Sequence, residues 1–244
     1  SEFNWIRTYL QKPLLTLKSM LVVGDIYTAG SQFSSLAFKG IQLMSDERML
    51  PDSQKGYAPV IRGIATTTAR VVIKQNGTEI YQTTVSPGQF EINDLYPTSY
   101  EGDLLVEIHE SNGKVSSFTV PFTALPESVR AGRFKYNFTA GEVNNFGSEN
   151  SYFSDIALQY GMNNTVTLNT GIRVGHQYQA IFVGSVIATK LGAIGFNSTF
   201  SNAEVAGKNY QGGRLGISYS RTLSLTNTVI TLAGYKYSTE NFRE

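Results

Sequence analysis

Thr165-Val166-Thr167-Leu168-Asn169-Thr170-Gly171-Ile172-Arg173-Val174 is the stretch on which the fold assignment turns. Successive side chains of a strand point to opposite faces, so Val166, Leu168, Ile172 and Val174 share one side and Thr165, Thr167, Asn169 and Arg173 the other. The same period of two sets Phe134, Tyr136 and Phe138 against Arg133, Lys135, Asn137 and Thr139. It returns at Ile156, Leu158 and Tyr160 against Asp155, Ala157 and Gln159, and at Leu215, Ile217 and Tyr219 against Arg214, Gly216, Ser218 and Ser220. Successive strands of about 10 residues, apolar on one face and polar on the other, match a lipid-facing β-barrel with a wet lumen. A large soluble sheet with one solvated face alternates in the same way. Aromatics at strand ends, namely Tyr152, Phe153, Tyr178, Phe200, Tyr210 and Tyr237, favour the barrel, because they predict girdles at the membrane interfaces.

Proline divides the chain. Of seven prolines, six lie between Pro51 and Pro126, and none occurs from Glu127 onward. Proline cannot donate to a strand ladder, so the proline-free stretch suits continuously paired strands and the middle suits a separate module with ordered turns. Asn76-Gly77 between residues 70–75 and 78–83 is a two-residue hairpin signal, predicting Ile73 opposite Ile80 and Lys74 opposite Glu79. A second hairpin turns on Ser111-Asn112-Gly113. With Gly113 left-handed, Val106 pairs with Phe118, Leu104 with Val120, and Glu110 stands across from Lys114, whereas a two-residue loop would mix the faces. With short strands at 59–65 and 89–95, residues 56–129 read as a small antiparallel β-sandwich. Residues 3–10, 16–24 and 36–44 are further strands of the outer sheet, with a hairpin tip at 25–35. The expected organisation is all-β: wall strands over 1–50, an inserted module with its linkers over 51–130, and wall strands over 131–244.

Composition excludes several functions. Lys plus Arg number 20 and Asp plus Glu 19, a net charge of +1, so nothing argues for nucleic acid as a partner. Only 16% of the 244 residues are charged, against roughly 25% in an ordinary soluble domain. The 14 Tyr, 14 Phe and 23 Gly favour strands and turns. Without Cys there are no thiolate metal sites, Cys nucleophiles or disulfides. No apolar run reaches the ~18 residues of a spanning helix, which leaves transmembrane strands untouched. The opening Ser1-Glu2-Phe3-Asn4-Trp5 has no basic stretch followed by an apolar core and reads as mid-domain sequence, so a piece of a longer protein is expected.

His109 and His176 are far apart in sequence, and neither is presented with a serine on a strand-to-helix turn or with further ligands. There is no Gly-Lys-Ser/Thr phosphate loop. No metal, cofactor or enzymatic activity is expected. Asn137-Phe138-Thr139 and Asn197-Ser198-Thr199 match the glycosylation pattern through Asn/Thr alternation in strands, and Gly24-Asp25 and Gly212-Gly213 are turn or strand-edge glycines.

Longer words then appear. Residues 45–65, Ser-Asp-Glu-Arg-Met-Leu-Pro-Asp-Ser-Gln-Lys-Gly-Tyr-Ala-Pro-Val-Ile-Arg-Gly-Ile-Ala, closely resemble the entry into the plug of fimbrial ushers. Residues 71–81, with the Lys74-Gln75-Asn76-Gly77 core and Ile80-Tyr81, do the same. In residues 85–95, Pro87, Gly88, Phe90, Ile92, Asn93 and Asp94 fit the family signature, while Gln89 departs from it. Gly102-Asp103-Leu104, Phe118-Thr119-Val120-Pro121, residues 136–142 and residues 234–239 extend the likeness in order through nearly the whole chain.

The resemblance implies part of a fimbrial or pilus usher: an outer-membrane barrel of about 24 strands with a β-sandwich plug inserted in its wall. It implies pilus subunits and periplasmic chaperone–subunit complexes as partners, outer-membrane lipid around the wall, no cofactor, and leaves open whether pores pair as a homodimer. Pro51, Gly56, Pro59, Pro121, Pro126 and Gly132 would shape the plug linkers. Asp46, Glu47, Arg48 and Arg62 would latch the closed state. The alternatives are a soluble β-sandwich binding or adhesin-type module, and another plugged outer-membrane transporter, which the internal position of the module disfavours.

Overall fold

A computed structural model describes residues 8–28, 30, 32–97, 102–122, 128–143, 151–189, 191–205, 207–223 and 228–237. Ten strands form one antiparallel sheet, the wall. They are β1 (Tyr9–Leu14), β2 (Ser19–Tyr27), β3 (Ala37–Ser45), β10 (Phe134–Val143), β11 (Ser151–Gly161), β12 (Val166–Gly175), β13 (Tyr178–Thr189), β14 (Gly192–Val205), β15 (Lys208–Leu223) and β16 (Thr228–Tyr237). Between β3 and β10 the chain leaves the wall and builds a four-stranded sheet in the order β6-β5-β8-β9 and a two-stranded sheet β4-β7. These are β4 (Ile61–Ala65), β5 (Ala69–Gln75), β6 (Thr78–Val85), β7 (Gly88–Ile92), β8 (Leu104–Glu110) and β9 (Val115–Val120). The wall is continuous across this excursion, because β3 pairs directly with β10, Gly40 opposite Gly141 and Leu43 opposite Phe138.

Burial decides between the two readings of the alternation. Leu168, Ile172, Val174, Ile181 and Val183 are 42–56% exposed, whereas Thr167, Asn169, Arg173 and Thr199 on the opposite face are 1–9% exposed. A soluble sheet covers its apolar face and wets the polar one. Here the apolar face is bare, which is stable only where the outer solvent is hydrocarbon. The soluble alternative fails on this point.

Parity corrects the aromatic girdles. Of the six strand-end aromatics, Tyr152 (69% exposed) and Phe200 (61%) face outward. Phe153 pairs with Gly175 and is buried on the inner face, Tyr178 and Tyr210 both pair with inward Ala203, and Tyr237 pairs with inward Arg214. An end position says nothing about which way a side chain points; the period of two does.

The N-terminal strands are displaced from expectation. Residues 3–7 of the anticipated strand 3–10 lie outside the described residues. Strand β1 runs on through Pro13, which it tolerates at the edge of the described sheet. Asp25, Ile26 and Tyr27 are not a hairpin tip but continue β2, paired with Lys39, Phe38 and Ala37.

The module packs around Ile61, Val71, Ile73, Ile92, Leu104, Val106, Ile108 and Phe122. Asn76 (φ 50°) and Gly77 (φ 78°) make the tight turn, and Lys74 does stand opposite Glu79. Ile73, however, faces Tyr81 and not Ile80, because the register shifts between Ile73 and Lys74. This bulge turns both Ile80 and Tyr81 onto the core, which strict alternation cannot do. Lys74 pairs instead with Glu107 of β8, 3.0 Å away. The β8–β9 loop follows expectation, with Val106 opposite Phe118, Leu104 opposite Val120, and Glu110 N bonded to Lys114 O at 2.9 Å.

Glu110 closes the β4–β5 turn. One carboxylate oxygen accepts from Thr66 N and Oγ1, each at 2.9 Å, and the other from Thr67 N at 2.8 Å and the Thr67 hydroxyl. The Thr67 hydroxyl and the turn amides hold its pKa down, from 4.5 to about 2. A carboxyl depressed in this way stabilises the fold fully above its unfolded value and ceases to do so as the pH falls toward about 2. Near-UV circular dichroism melts should therefore show module stability falling over that acidic interval, and Glu110→Gln should flatten the dependence. Leu104→Ala should destabilise the module by about 2–5 kcal/mol, read as faster hydrogen exchange of the β5 and β8 amides with wall amides unchanged.

Candidate functional site

Among the described residues, the module meets the wall where its two linkers run side by side. Arg130, 4% exposed, comes from the exit linker. Its Nε donates to Gly56 O at 2.9 Å, and Nη2 donates to Lys55 O at 2.9 Å and Leu95 O at 2.7 Å. One guanidinium thus ties the exit linker to the entry linker and to the module. Burial, with Arg133 nearby, lowers its pKa from the ordinary value, and Glu47 and Asp94 oppose the shift. Tyr57 of the entry linker stacks on Phe122 of the exit linker, ring centroids 5.8 Å apart. Burial pushes the Tyr57 hydroxyl up to about 12.

The wall grips the same place through the β11–β12 turn. Asn163 Oδ1 accepts from Thr165 N and Val166 N, both at 2.8 Å, and so shapes the turn. Asn164 then points to the module: its Oδ1 accepts from Val60 N and its Nδ2 donates to Val60 O, both at 2.7 Å. The Tyr57 hydroxyl donates to Asn164 O. The exit linker lies along the end of β11, with Gly132 N donating to Gly161 O at 2.7 Å and Gly161 N to Arg133 O at 3.0 Å. Gly161 permits this approach, since a Cβ there would lie 2.0 Å from Arg130 O.

A second feature narrows the inner face. Ahead of β3 the chain turns inward, and Phe33 is buried against Ala180 and Phe182 of β13. Arg173 holds it there: its guanidinium lies 4.8 Å from the Phe33 ring centre, Nη1 donates to Ser34 O at 3.0 Å, and Nη2 donates to Asp155 at 2.7 Å. Gly171 leaves the room, since a Cβ would sit 2.1 Å from Gln32 Oε1.

The residues singled out in the sequence are placed as follows. Pro51, Gly56 and Pro59 lie in the entry linker, and Pro121 and Gly132 in the exit linker. Pro126 falls outside the described residues. Gly56 (φ 59°) and Gly132 (φ 77°) occupy left-handed turns. The four charges do not form one latch. Asp46 and Arg48 pair with each other at 2.6 Å, and Arg62 pairs with Glu91 inside the module at 2.9 Å. Glu47 crosses to the wall, 2.8 Å from Lys135 of β10. Short sequence separation favours the Asp46–Arg48 pair, and direct cross-strand pairing of β4 with β7 sets Arg62 opposite Glu91.

The signature residues are structural. Pro87-Gly88 turns the chain from β6 to β7 (Gly88 φ 114°), the Phe90 ring covers Gly63, Ile92 is in the core, Asn93 bonds Glu91 at 3.5 Å, and Asp94 accepts from the Tyr81 hydroxyl at 3.0 Å. His109 is spent on Glu107, 3.0 Å away, and His176 lies in the β12–β13 turn. Arg130 and Asn164 were missed by the sequence reading; the only local signal is the Asn pair, which reads as turn chemistry. Arg130→Ala should weaken the seat by about 3 kcal/mol, seen as faster proteolysis of both linkers in the folded protein, whereas Arg48→Ala should leave linker cleavage at the parental rate.

Comparison with known proteins agrees with this geometry. The family model for outer membrane usher protein matches residues 1–244. The chain is 44% identical over 246 residues to the probable outer membrane usher protein ElfC of Escherichia coli K12, 41% over 241 to HifC of Haemophilus influenzae, and 40% over 248 to FimD of E. coli K12. It covers 96–99% of itself and 28% of each of these relatives, so it spans little more than a quarter of their length. Among solved structures it is similar to PapC in an E. coli P pilus tip assembly intermediate, PapC-PapD-PapK-PapG, with a TM-score of 0.72 and 31% identity over 99% of this chain and 30% of that one. It is also similar to the PapC translocation pore, with a TM-score of 0.58 and 30% identity over 99% and 49% of the two chains. The protein is an integral β-barrel protein of the outer membrane, and the chain belongs to the outer membrane usher family.

Proposed function

We propose that residues 51–130 are the plug of a pilus usher, that 1–50 and 131–244 are part of its pore wall, and that the plug gates export and assembly of pilus subunits delivered by a periplasmic chaperone. The observation that carries the proposal is the direct β3–β10 pairing, which keeps the wall sheet continuous while a compact module hangs from it beside the seam. A lumen wide enough for a folded subunit would leak small solutes when idle, and a tethered module stops the leak. The similar PapC is found with PapD, PapK and PapG in a pilus tip assembly intermediate, which supports the same class of partners here. The outward rows of the wall would meet outer-membrane lipid. No nucleotide hydrolysis is invoked; strand pairing between successive subunits would supply the free energy.

The seat is polar, as a reversible gate requires. Its hydrogen bonds are each worth only about 0.5–1.5 kcal/mol net, because water takes them over on release. The Glu47–Lys135 pair contributes on the order of 0.5 kcal/mol at its partial exposure. Planar-bilayer recordings of the full-length usher test this reading. Deleting residues 56–129 should raise resting conductance greatly, and parental conductance after the deletion would refute gating by the module. Glu47→Gln should raise it slightly and Asp46→Ala not at all, since Asp46 is spent on Arg48.

A further inference from the structure

The end of the wall from which the linkers leave holds a cavity of about 350 Å³, the space of roughly ten water molecules. Its charged lining is Lys18 of the β1–β2 turn, Asp46 and Glu47 of the entry linker, Arg130 and Arg133 of the exit linker, and Lys135 of β10. Both carboxylates are committed. Asp46 is held by Arg48 through both oxygens, and Glu47 by Lys135. Arg130 is spent on three backbone carbonyls, which carry no net charge. Lys18 and Arg133 form no salt bridge among the described residues. The cavity therefore keeps an uncompensated positive charge.

Two further features point the same way. Lys18 has φ 47°, the left-handed conformation that Gly or Asn ordinarily fills. A lysine held there against local preference calls for a use of its charge. Arg133 also lies near enough to Arg130 to add to the burial that lowers the Arg130 pKa. Two guanidiniums that repel each other in this way would be relieved by an anion.

The cavity stands at the lipid boundary. Phe134 and Tyr136, which also line it, belong to the outward row of β10, and the Phe134 ring stacks on Tyr160 of β11 with centres 4.4 Å apart. The Tyr136 hydroxyl turns back to Ser19 Oγ and to Leu17 O, the posture of an interfacial aromatic with its apolar body outward and its polar tip toward water. Leu17 is exposed beside it.

We propose that this cavity binds the phosphate of an anionic phospholipid, its headgroup on Lys18 and Arg133 and its acyl chains along Leu17 and Phe134. A guanidinium matches two phosphate oxygens at once and an ammonium serves as a point charge. A zwitterionic headgroup brings its own cation and gains less from the same pair. The site requires only the membrane wall and not the gating reading.

Native mass spectrometry of the full-length usher in detergent, with added phosphatidylglycerol or phosphatidylcholine, tests the site. The parent should retain one phosphatidylglycerol at a concentration about tenfold below that needed for phosphatidylcholine. Lys18→Gly, which suits the left-handed turn, and Arg133→Gln should each reduce that preference several-fold, and the double variant should abolish it. Lys39→Gln, at the far end of β3, should keep it. Heat-modifiable gel mobility reports a folded barrel, and where the double variant does not fold the single variants decide. Equal retention of the two lipids by the parent, or parental preference in the folded Lys18→Gly and Arg133→Gln variants, overturns the site. Glycerol 3-phosphate, which offers the same phosphate without acyl chains, should leave the lipid in place; its displacing the lipid at equal concentration assigns the cavity to a free phosphate ester and overturns the lipid.

Discussion

A strand wall in hydrocarbon must satisfy its backbone N–H and C=O groups within the sheet, since the lipid offers no partner. Everything distinctive about this chain follows from that requirement. The module could not be inserted by leaving a gap, so β3 pairs with β10 and the wall closes behind the departing chain. Residues 46–133 must then leave and return at one seam, which lays the two linkers side by side. Once they are neighbours, a single side chain can hold both, and Arg130 does so.

The same requirement explains why the two bodies are stabilised differently. The module buries a conventional apolar core and spends Glu110 on a turn. The wall carries its large apolar side chains outward, where they make no core at all, and relies on backbone pairing from strand to strand. Among the described residues it buries only small apolar clusters on the inside, one around Phe38 and Phe153 and one around Phe33 and Phe182. The contact between module and wall is different again. It is made of carbonyls, amides and a guanidinium without a carboxylate among its hydrogen-bond partners there, groups that water can serve nearly as well. A joint of that kind holds a position without committing to it.

Much of this was legible in sequence because it depends on local chemistry. The period of two separates lipid-facing from lumen-facing rows, Asn76-Gly77 and Gly113 require left-handed turns, and proline marks where pairing is interrupted. The departures have different causes. The bulge at Ile73 depends on which neighbour arrives across the strand, Phe153 and Tyr178 follow the parity of their strands and not their position at a strand end, and Asp46 takes the partner two residues away. A charge next to a linker looks the same whether it bonds two residues away or to a distant strand.

The alternation of polarity, the turn chemistry and the family words in the sequence were sufficient for strands, their faces and the inserted module. Tertiary structure alone decided the seat. Arg130 and Asn164 act on backbone carbonyls and amides, which carry no residue identity for a sequence pattern to reveal.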